Sequence, residues 1–280
     1  MKIIYILGSG HCGSTLLDIV LDGHSGIVGI GETDPIDYES VCTCGEPVKQ
    51  CVLWSKVFDE ATPETLEFYK TKIDFLLNKS KFYLAYGAER ELFDKETYLD
   101  LSYKFYDSIL KVSGAKLIVE STKNPYKVEF LAKSKKIEPI IIHLVRDGRA
   151  VSWSYIKKYG HPLLYMWIWF AQNIKIEIIR RKTGVKYIFV SYEKFTSDPK
   201  KVISEILEEL GLIYEDGMLN FKNFTHHQMA GNRMRFAKTD EIKEDLDWRL
   251  KMPKSYVLIF NLLFGWFNYY YKKKKAYDKL

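Results

Sequence analysis

The sequence predicts an α/β fold: a mostly parallel sheet with helices on both faces, in three layers. Short runs rich in Ile and Val recur, and each is followed by a helical pattern, which is typical of parallel sheets. A glycine-rich segment directly follows the first run. With 280 residues, 47% of them hydrophobic and 28% charged, the chain can bury a large core and is not a disordered one.

The strand and helix candidates alternate along the chain. The strands are predicted at Lys2–Leu7, Lys116–Glu120, Pro139–Val145 and Tyr187–Ser191. The helices are predicted at Ser14–Leu21 and Leu163–Lys182, with a further one from about Ser197 to Gly211. The last of these begins at Ser197-Asp198-Pro199, a capping residue with Pro just inside, and stops at a glycine, as helices commonly do.

Residues 33–114 differ in character and are interpreted as an inserted helical cap. Helical patterning is found at Pro63–Lys79 and Asp94–Val112. In the second segment Leu101, Phe105 and Ile109 recur at helical spacing, so they fall on one face together with Val112. We therefore expect one domain over residues 1–255 that contains this insertion, followed by an aromatic and basic tail at 256–280.

The net charge of +6 is confined to the C-terminal end of the chain. Residues 251–280 hold seven Lys and one Asp, so the remaining body is neutral. A neutral body excludes a globally basic nucleic-acid binder. Four cysteines do not make a disulfide scaffold, and the apolar start is too short for a signal peptide, so we expect a cytoplasmic protein.

The strongest local signal is Gly8-Ser-Gly-His-Cys-Gly-Ser-Thr15, between a predicted strand and a predicted helix. Glycines let the backbone approach a ligand, and the N–H groups of a new helix favour an anion. The spacing resembles the phosphate loop of nucleoside triphosphatases, so the fold is P-loop-like, but Ser14 replaces the lysine that a kinase or ATPase needs. The alternative is an ordinary tight turn in an α/β protein.

A second segment, Ile140 to Ser154, runs from a buried strand into a helix. Arg146 ends the strand and Ser154 follows eight residues later. Ligands of α/β sheets bind at the carboxyl ends of strands, and a guanidinium group suits a phosphate.

Together, these two segments resemble the PAPS-dependent sulfotransferases, in particular their microbial and carbohydrate-type branch. Three further segments match in the same order, over most of residues 3–35 and 115–250. They are Glu120-Ser-Thr-Lys-Asn-Pro, Val190-Ser-Tyr-Glu193, and His227-Gln-Met-Ala-Gly-Asn-Arg-Met-Arg235 followed by Trp248. The resemblance implies transfer of a sulfuryl group from PAPS to an acceptor hydroxyl, with 3′,5′-ADP as the product and no metal required.

The resemblance also assigns the donor site. It implies that the first loop holds the 5′-phosphosulfate and that Arg146 and Ser154 hold the 3′-phosphate. The implied donor contacts are Gly10, His11, Cys12, Gly13, Ser14, Thr15, Arg146, Ser154, Tyr192, Asn232, Arg233 and Arg235.

For catalysis we expect Glu32 as the general base and Lys123 as the main electrophilic residue. His11 assists, standing where the family usually has Arg or Lys. An ion-paired or helix-capping role is the alternative for Glu32. His24, His143 and Asp34 are weaker candidates for the base, and His143, inside a strand, is interpreted as a core residue.

Two other functions remain open from the residues alone: a nucleotide kinase or ATPase, and a non-catalytic nucleotide or anion sensor. For a sulfotransferase, the acceptor is expected to be a carbohydrate, a lipid-linked molecule or a small molecule, and not a nucleic acid. The oligomeric state is not predicted.

Two segments carry open alternatives. Cys42, Cys44 and Cys51 form a C-x-C-x6-C cluster that would bind zinc only if Cys12 or a histidine joined it. A disulfide is the other option. We interpret the loop as a structural part of the cap.

The apolar run of the tail is interrupted by Asn261 and Asn268, so we expect that it does not span a membrane. It either packs on the body with a solvated lysine end, the preferred interpretation, or contacts an anionic membrane surface.

Overall fold

Among the residues that the structure describes, the sheet has five strands, all parallel, in the spatial order β2-β3-β1-β4-β5. The computed structural model describes residues 1–34, 36–72, 95–237 and 239–274. The strands are β1 (Lys2–Leu7), β2 (Ile27–Gly31), β3 (Leu117–Glu120), β4 (Glu138–Val145) and β5 (Tyr187–Ser191). The predicted α/β fold with a mostly parallel sheet is therefore confirmed.

Helices connect these strands, and most of them pack on the two faces of the sheet. They are α1 (Ser14–Asp22), α2 (Val52–Glu60), α3 (Pro63–Glu67), α4 (Lys95–Ser113), α5 (Pro125–Leu131), α6 (Gly148–Tyr159), α7 (Pro162–Thr183), α8 (Tyr192–Ser197), α9 (Pro199–Leu210), α10 (Asp247–Lys251) and α11 (Lys254–Lys273). Helix α9 has the predicted ends. The Asp198 side chain accepts from the N–H of Lys201 at 3.3 Å, and Gly211 closes the helix with φ 74°.

The core lies on both sides of the sheet, because side chains of a buried strand alternate between its faces. From β1, Tyr5 points into a cluster with Trp54 of α2 and Phe105 of α4, whereas Ile4 and Ile6 pack with α1 and α9 on the other face. The helices between β2 and β3 thus form one layer of the core.

One observed strand lacks a sequence prediction, and one predicted helix extends beyond the described residues. Strand β2 was not predicted, since Ile27–Gly31 is short and contains two glycines, which weaken a strand pattern. The predicted helix Pro63–Lys79 begins as expected with α3, which is capped by the Thr62 side chain, but residues 73–79 lie outside the described part of the chain.

The C-terminal helix α11 packs on α6 and α7. Its inner face buries Phe260, Phe264 and Phe267 in a cluster with Trp169. The expected solvated lysine end is wrong for Lys274, whose buried Nζ donates to Glu177 Oε1 at 2.8 Å. Within the described ranges, the helices all fall short of the length and apolar character that crossing a membrane requires.

Candidate active site

The carboxyl ends of all five strands meet at one edge of the sheet, and each end leads into a segment with predicted site residues. Glu32 follows β2 and Lys123 lies just after β3. The glycine-rich loop follows β1, while Arg146 and Tyr192 follow β4 and β5. Parallel pairing between neighbours in the order β2-β3-β1-β4-β5 brings these residues to one edge of the sheet.

The glycine-rich loop opens helix α1 in a conformation suited to an anion. Gly13, the N-cap, has φ 98°, and no side chain caps the first turn. Leu16 and Leu17 donate to the carbonyl of Gly13, at 3.1 Å each. Within the described part of the chain, the N–H groups of Gly13 and Thr15 have no protein acceptor. This geometry combines free donors with the positive end of the helix dipole.

Two tyrosines crowd this loop and explain its glycines. A Cβ at Gly10 would lie 2.0 Å from the Tyr155 hydroxyl, and a Cβ at Gly13 would lie 2.7 Å from the ring of Tyr192. Tyr155 also stacks on Tyr165, with ring centroids 4.7 Å apart, and meets the ring of His11 edge-on at 4.5 Å. The loop is therefore held between aromatic side chains of α6 and α8.

Lys123 and Glu32 form a direct ion pair at the strand-end edge, beyond the ends of the neighbouring strands β3 and β2. The Nζ of Lys123 donates to Glu32 Oε1 and, at 3.0 Å, to the carbonyl of Ser121. Lys123 has φ 64°, a conformation that few non-glycine residues adopt, and Gln172 Nε2 donates to its carbonyl at 2.9 Å. A register shift between Gly29 and Gly31 precedes Glu32, as bulges near active sites often do.

A second, fully buried ion network lies beneath this pair. The Nζ of Lys127 donates to Asp34 at 2.7 and 2.8 Å and to Glu120 Oε1 at 2.8 Å. The other oxygen of Glu120 accepts from Tyr5 at 3.1 Å and from Tyr106 at 2.7 Å. Because Glu120 and Lys127 flank the Lys123 segment and Asp34 follows Glu32, this network anchors both halves of the Lys123–Glu32 pair.

Arg146 lies beside the glycine-rich loop, with only 6% of its surface exposed. One nitrogen donates to the carbonyl of His11 at 3.0 Å, and the other donates to the carbonyl of Asp245 at 2.9 Å. The Asp245 carboxylate lies 3.1 Å from the same guanidinium group, which stacks over the Tyr192 ring at 4.6 Å. Asp245 thus presents a carboxylate where the resemblance implies a phosphate.

The loop at residues 227–235 also lies at this edge of the sheet, next to helix α1. The N–H of Asn232 donates to the Thr15 hydroxyl at 3.1 Å, which joins this loop to helix α1. Arg233 is exposed, but Arg235 is buried and donates to the carbonyls of Val41 at 2.8 Å and Gly231 at 3.4 Å. Its Nε is buried without a hydrogen-bond partner among the described residues.

Two of the remaining predicted donor contacts, Ser154 and Cys12, are engaged within the protein. The Ser154 hydroxyl donates to the carbonyl of Ala150 at 3.0 Å, one turn earlier in α6. Cys12 is buried against the core on the α1 side, and burial raises the pKa of its thiol.

The pKa of His11 is lowered, first by burial and then by the positive charges of Lys158, Arg146 and Lys123. A bound polyanion would favour the protonated ring. The protein itself surrounds this ring with cations, so the neutral form is favoured until an anion offsets them.

None of the three weaker base candidates has a free side chain at this edge. Asp34 is buried against Lys127, and His24 bonds to the carbonyl of Ile213 at 3.1 Å, before β2 begins. His143 is a satisfied core residue, as predicted: its ring bonds to Tyr187 and Asn173 at 2.9 Å each, and burial lowers its pKa to about 4.

Sequence reasoning missed several contributors to this edge. Gln172, Tyr155 and Asp245 each act from an element far along the chain, so no local pattern marks them. Lys127 could have been suspected, because a lysine on the apolar face of a helix needs a buried anion. Of the candidates to join the cap cysteines, it is His227 that lies beside them, 3.2 Å from Cys51 Sγ, and Cys12 does not.

A parallel sheet flanked by helices, with a glycine-rich loop between its central strand and helix α1, defines a fold of the P-loop-like class. A profile of the sulfotransferase family matches residues 4–216 of this chain, which is most of its length. The chain therefore belongs to the sulfotransferase family and is a sulfotransferase. Comparison with curated proteins gave no significant match.

Solved structures with the same fold are also sulfotransferases. The sulfotransferase domain of the olefin synthase from Synechococcus PCC 7002 is 21% identical, with a TM-score of 0.59 and 94% of each chain covered. The sulfotransferase domain of the curacin biosynthetic pathway is 18% identical, with a TM-score of 0.56 over 94% of this chain and 97% of that one. Mouse sulfotransferase SULT7A1, complexed with PAP, is 14% identical, with a TM-score of 0.51 over 97% of this chain and 88% of that one.

Proposed function

We propose that this enzyme transfers a sulfuryl group from PAPS to a hydroxyl of a carbohydrate, lipid-linked or small-molecule acceptor. The observation that carries the proposal is the convergence of Glu32, Lys123, the glycine-rich loop and Arg146 at adjacent strand ends. The family generally uses this donor, and one structural neighbour holds its product.

The residues present fit such a donor. PAPS supplies an activated sulfuryl group on a phosphate that can leave. The uncapped start of α1 offers the N–H groups of Gly13 and Thr15 to the 5′-phosphate side, with Gly10, His11, Cys12 and Ser14 next to them. Arg146 and Ser154 would hold the 3′-phosphate once Asp245 yields the guanidinium group, with Tyr192, Asn232, Arg233 and Arg235 nearby. The unpartnered Nε of Arg235 is a buried donor that an anion would satisfy.

Glu32 and Lys123 have complementary roles in this proposal. Glu32 accepts the proton of the acceptor hydroxyl, whose oxygen forms the new bond to sulfur. Lys123, assisted by His11, stabilises the phosphate oxygen as its bond to sulfur breaks, so that sulfated acceptor and 3′,5′-ADP are formed. Because Lys123 donates to Glu32 in the structure, a leaving phosphate held by Lys123 would share its ammonium group with Glu32.

Neutralising either member of this pair tests the assignment. We expect Glu32→Gln and Lys123→Gln to lower the turnover of labelled PAPS with a panel of sugar, lipid-headgroup and small-alcohol acceptors by about 100-fold or more. Binding of 3′,5′-ADP should remain largely intact. Glu39 and Lys49 form an exposed ion pair at 2.8 Å, so Glu39→Gln and Lys49→Gln are matched controls with normal turnover.

Near-normal turnover in either active-site variant would refute the assignment. Hydrolysis of ATP with magnesium would instead support the kinase or ATPase alternative, which the family match does not favour. Binding of 3′,5′-ADP without transfer to any acceptor would support a sensor.

We extend the proposal to the organisation of the chain. Residues 1–255 act as one sulfotransferase domain with residues 33–114 inserted, and 256–280 form an appended tail. A cytoplasmic location belongs to the same proposal, because Cys12, Cys42, Cys44 and Cys51 form no disulfide with one another, which suits a reducing compartment.

We also propose that the outer face of α11 contacts an anionic membrane surface. Leu262 and Trp266 on this face are 73% and 63% exposed, and residues 251–280 hold seven Lys and one Asp. Apolar side chains next to lysines favour such an interface. We expect the double variant Leu262→Glu/Trp266→Glu to lose sedimentation with anionic vesicles, while Leu250→Glu, at an 87% exposed site off this helix, keeps it. Equal sedimentation of both would refute the contact.

A further inference from the structure

Among the residues that the structure describes, three cysteines and one histidine converge on a single point outside the strand-end edge. Cys42, Cys44, Cys51 and His227 each bring one ligand atom, and these four atoms all lie within 4.8 Å of one another. Cys42 and Cys51 are fully buried, whereas Cys44 and His227 are partly buried. The Sγ of Cys51 is 3.2 Å from Nδ1 of His227.

The backbone of the cap loop is shaped to aim the three thiols inward. Residues 41 and 47 form an isolated antiparallel bridge, and the N–H of Cys42 donates to the carbonyl of Glu46 at 2.8 Å. Gly45, with φ 99°, turns the chain and donates back to the carbonyl of Cys42 at 2.9 Å. This turn brings Cys44 next to Cys42, and Cys51 joins them from the start of α2.

The fourth group arrives from far along the chain and is held in place by its neighbours. The carbonyl of His227 accepts from the indole Nε1 of Trp54 at 2.7 Å. The carbonyl of Gln228 accepts from both the N–H and the hydroxyl of Thr43, at 3.1 Å each. The imidazole is thus fixed against the cysteine loop by contacts that do not involve the ring.

We propose that these four residues bind a structural zinc ion. Zinc–sulfur bonds are about 2.3 Å long, so two ligands of a tetrahedral site lie about 3.8 Å apart, within the observed limit. A disulfide would join two of the thiols and leave the third thiol and the imidazole without a role. Four protein ligands fill the coordination shell of zinc, so the site is closed and takes no part in sulfuryl transfer. Three soft thiolates also favour zinc over magnesium or calcium.

The ion would tie the cap loop to the segment that leads to Arg235. That arginine donates to the carbonyl of Val41 beside the first ligand, and Asn232 in the same segment donates its N–H to Thr15 of α1. Zinc would therefore hold the loop at 227–235 against the glycine-rich loop. This consequence rests on the proposed function, whereas the metal site itself does not.

The experiment measures the metal directly in the purified full-length protein and uses no donor or acceptor. Elemental analysis is made of protein expressed in zinc-supplemented medium and purified without metal-affinity resin. We expect about one zinc per chain in the wild type and a drop of roughly 10-fold or more in Cys44→Ala and His227→Ala, because a structural site needs its full ligand set. Cys12→Ala and His161→Asn are matched controls that should keep the metal, since neither residue belongs to the cluster.

A second measurement guards against variants that fail to fold. Wild-type protein is stripped with a chelator and reloaded with cobalt, which should give the intense visible absorption of a tetrahedral thiolate site and raise the melting temperature of the stripped protein. Wild-type protein with only traces of zinc and no such cobalt spectrum would overturn the proposal. Full zinc content in both ligand variants would also overturn it. Loss of metal with retained 3′,5′-ADP binding would leave the metal site standing and refute only its role at the donor loop.

Discussion

The buried ion network beneath Lys123 and Glu32 predicts a large effect on stability when its cation is removed. Lys127→Met keeps an unbranched side chain that is one atom shorter and removes its charge, which leaves the carboxylates of Asp34 and Glu120 buried without their cation. Both carboxylates are 0% exposed and Lys127 is 2% exposed. Removing one partner of a buried pair costs about 3–5 kcal/mol. That is a large share of the roughly 5–15 kcal/mol by which a typical domain is stable.

Urea unfolding followed by tryptophan fluorescence measures this loss as a lower midpoint with an unchanged slope. The matched control is Lys49→Met, because the Lys49–Glu39 pair is 46% and 73% exposed and should contribute only about 0–1 kcal/mol. The combined variant Lys127→Met/Asp34→Asn/Glu120→Gln should recover part of the loss, since it buries no unpaired charge.

The stability lost in Lys127→Met should depend on pH, and the direction follows from the environment of Asp34. Burial raises the pKa of Asp34, and the positive charge of Lys127 opposes this. In Lys127→Met the carboxyl would bind its proton more readily in the folded than in the unfolded state, so folding stability increases as pH falls. The deficit relative to wild type should therefore shrink in acid. A loss within about 1 kcal/mol of the Lys49→Met control, or a deficit independent of pH, would refute this reasoning.

Three further predictions concern the donor site. Gly13→Ala should weaken 3′,5′-ADP binding by about 10-fold or more, because φ 98° costs an alanine roughly 1–2 kcal/mol and its Cβ would lie 2.7 Å from Tyr192. Titration calorimetry measures the affinity, and an unchanged affinity would contradict the prediction. Arg146→Lys should weaken 3′,5′-ADP binding by about 10–100-fold, since a charged hydrogen bond contributes about 1.5–3 kcal/mol and lysine cannot donate the paired hydrogen bonds of a guanidinium group. Equal affinities of wild type and variant would argue against a phosphate at Arg146. Burial and nearby cations lower the pKa of His11, and a bound polyanion would raise it, so binding of 3′,5′-ADP should take up a proton. The affinity advantage of wild type over His11→Gln should therefore grow as pH falls. A ratio of the two affinities that stays constant with pH would exclude this coupling.

Local patterns explain why so much of the sheet could be predicted. Tyr187–Ser191 and Lys2–Leu7 are short runs rich in apolar residues, and the structure forms strands over these same ranges. The helix predicted at Leu163–Lys182 is observed as Pro162–Thr183, because its ends carry a proline and a following glycine. Strand β2, with two glycines in five residues, has no such pattern and takes its conformation from pairing with β3.

The candidate site was predictable only where its residues lie within motifs. Lys123 and Arg146 stand at strand ends inside recognisable segments, so their approach to the glycine-rich loop followed from the topology. In contrast, Asp245 and Gln172 reach the site through contacts that depend on the packing of distant elements. His227 was noticed as part of a loop, but its position beside the cap cysteines depends on contacts across about two thirds of the chain.

Titration calorimetry with 3′,5′-ADP, 5′-ADP and magnesium-ATP tests the proposed donor most directly. We predict metal-independent binding of 3′,5′-ADP, with 5′-ADP about 10–100-fold weaker because Arg146 would lose its charged hydrogen bonds to the 3′-phosphate. A preference for magnesium-ATP, or equal binding of the two ADP isomers, would contradict the assignment of this site to PAPS.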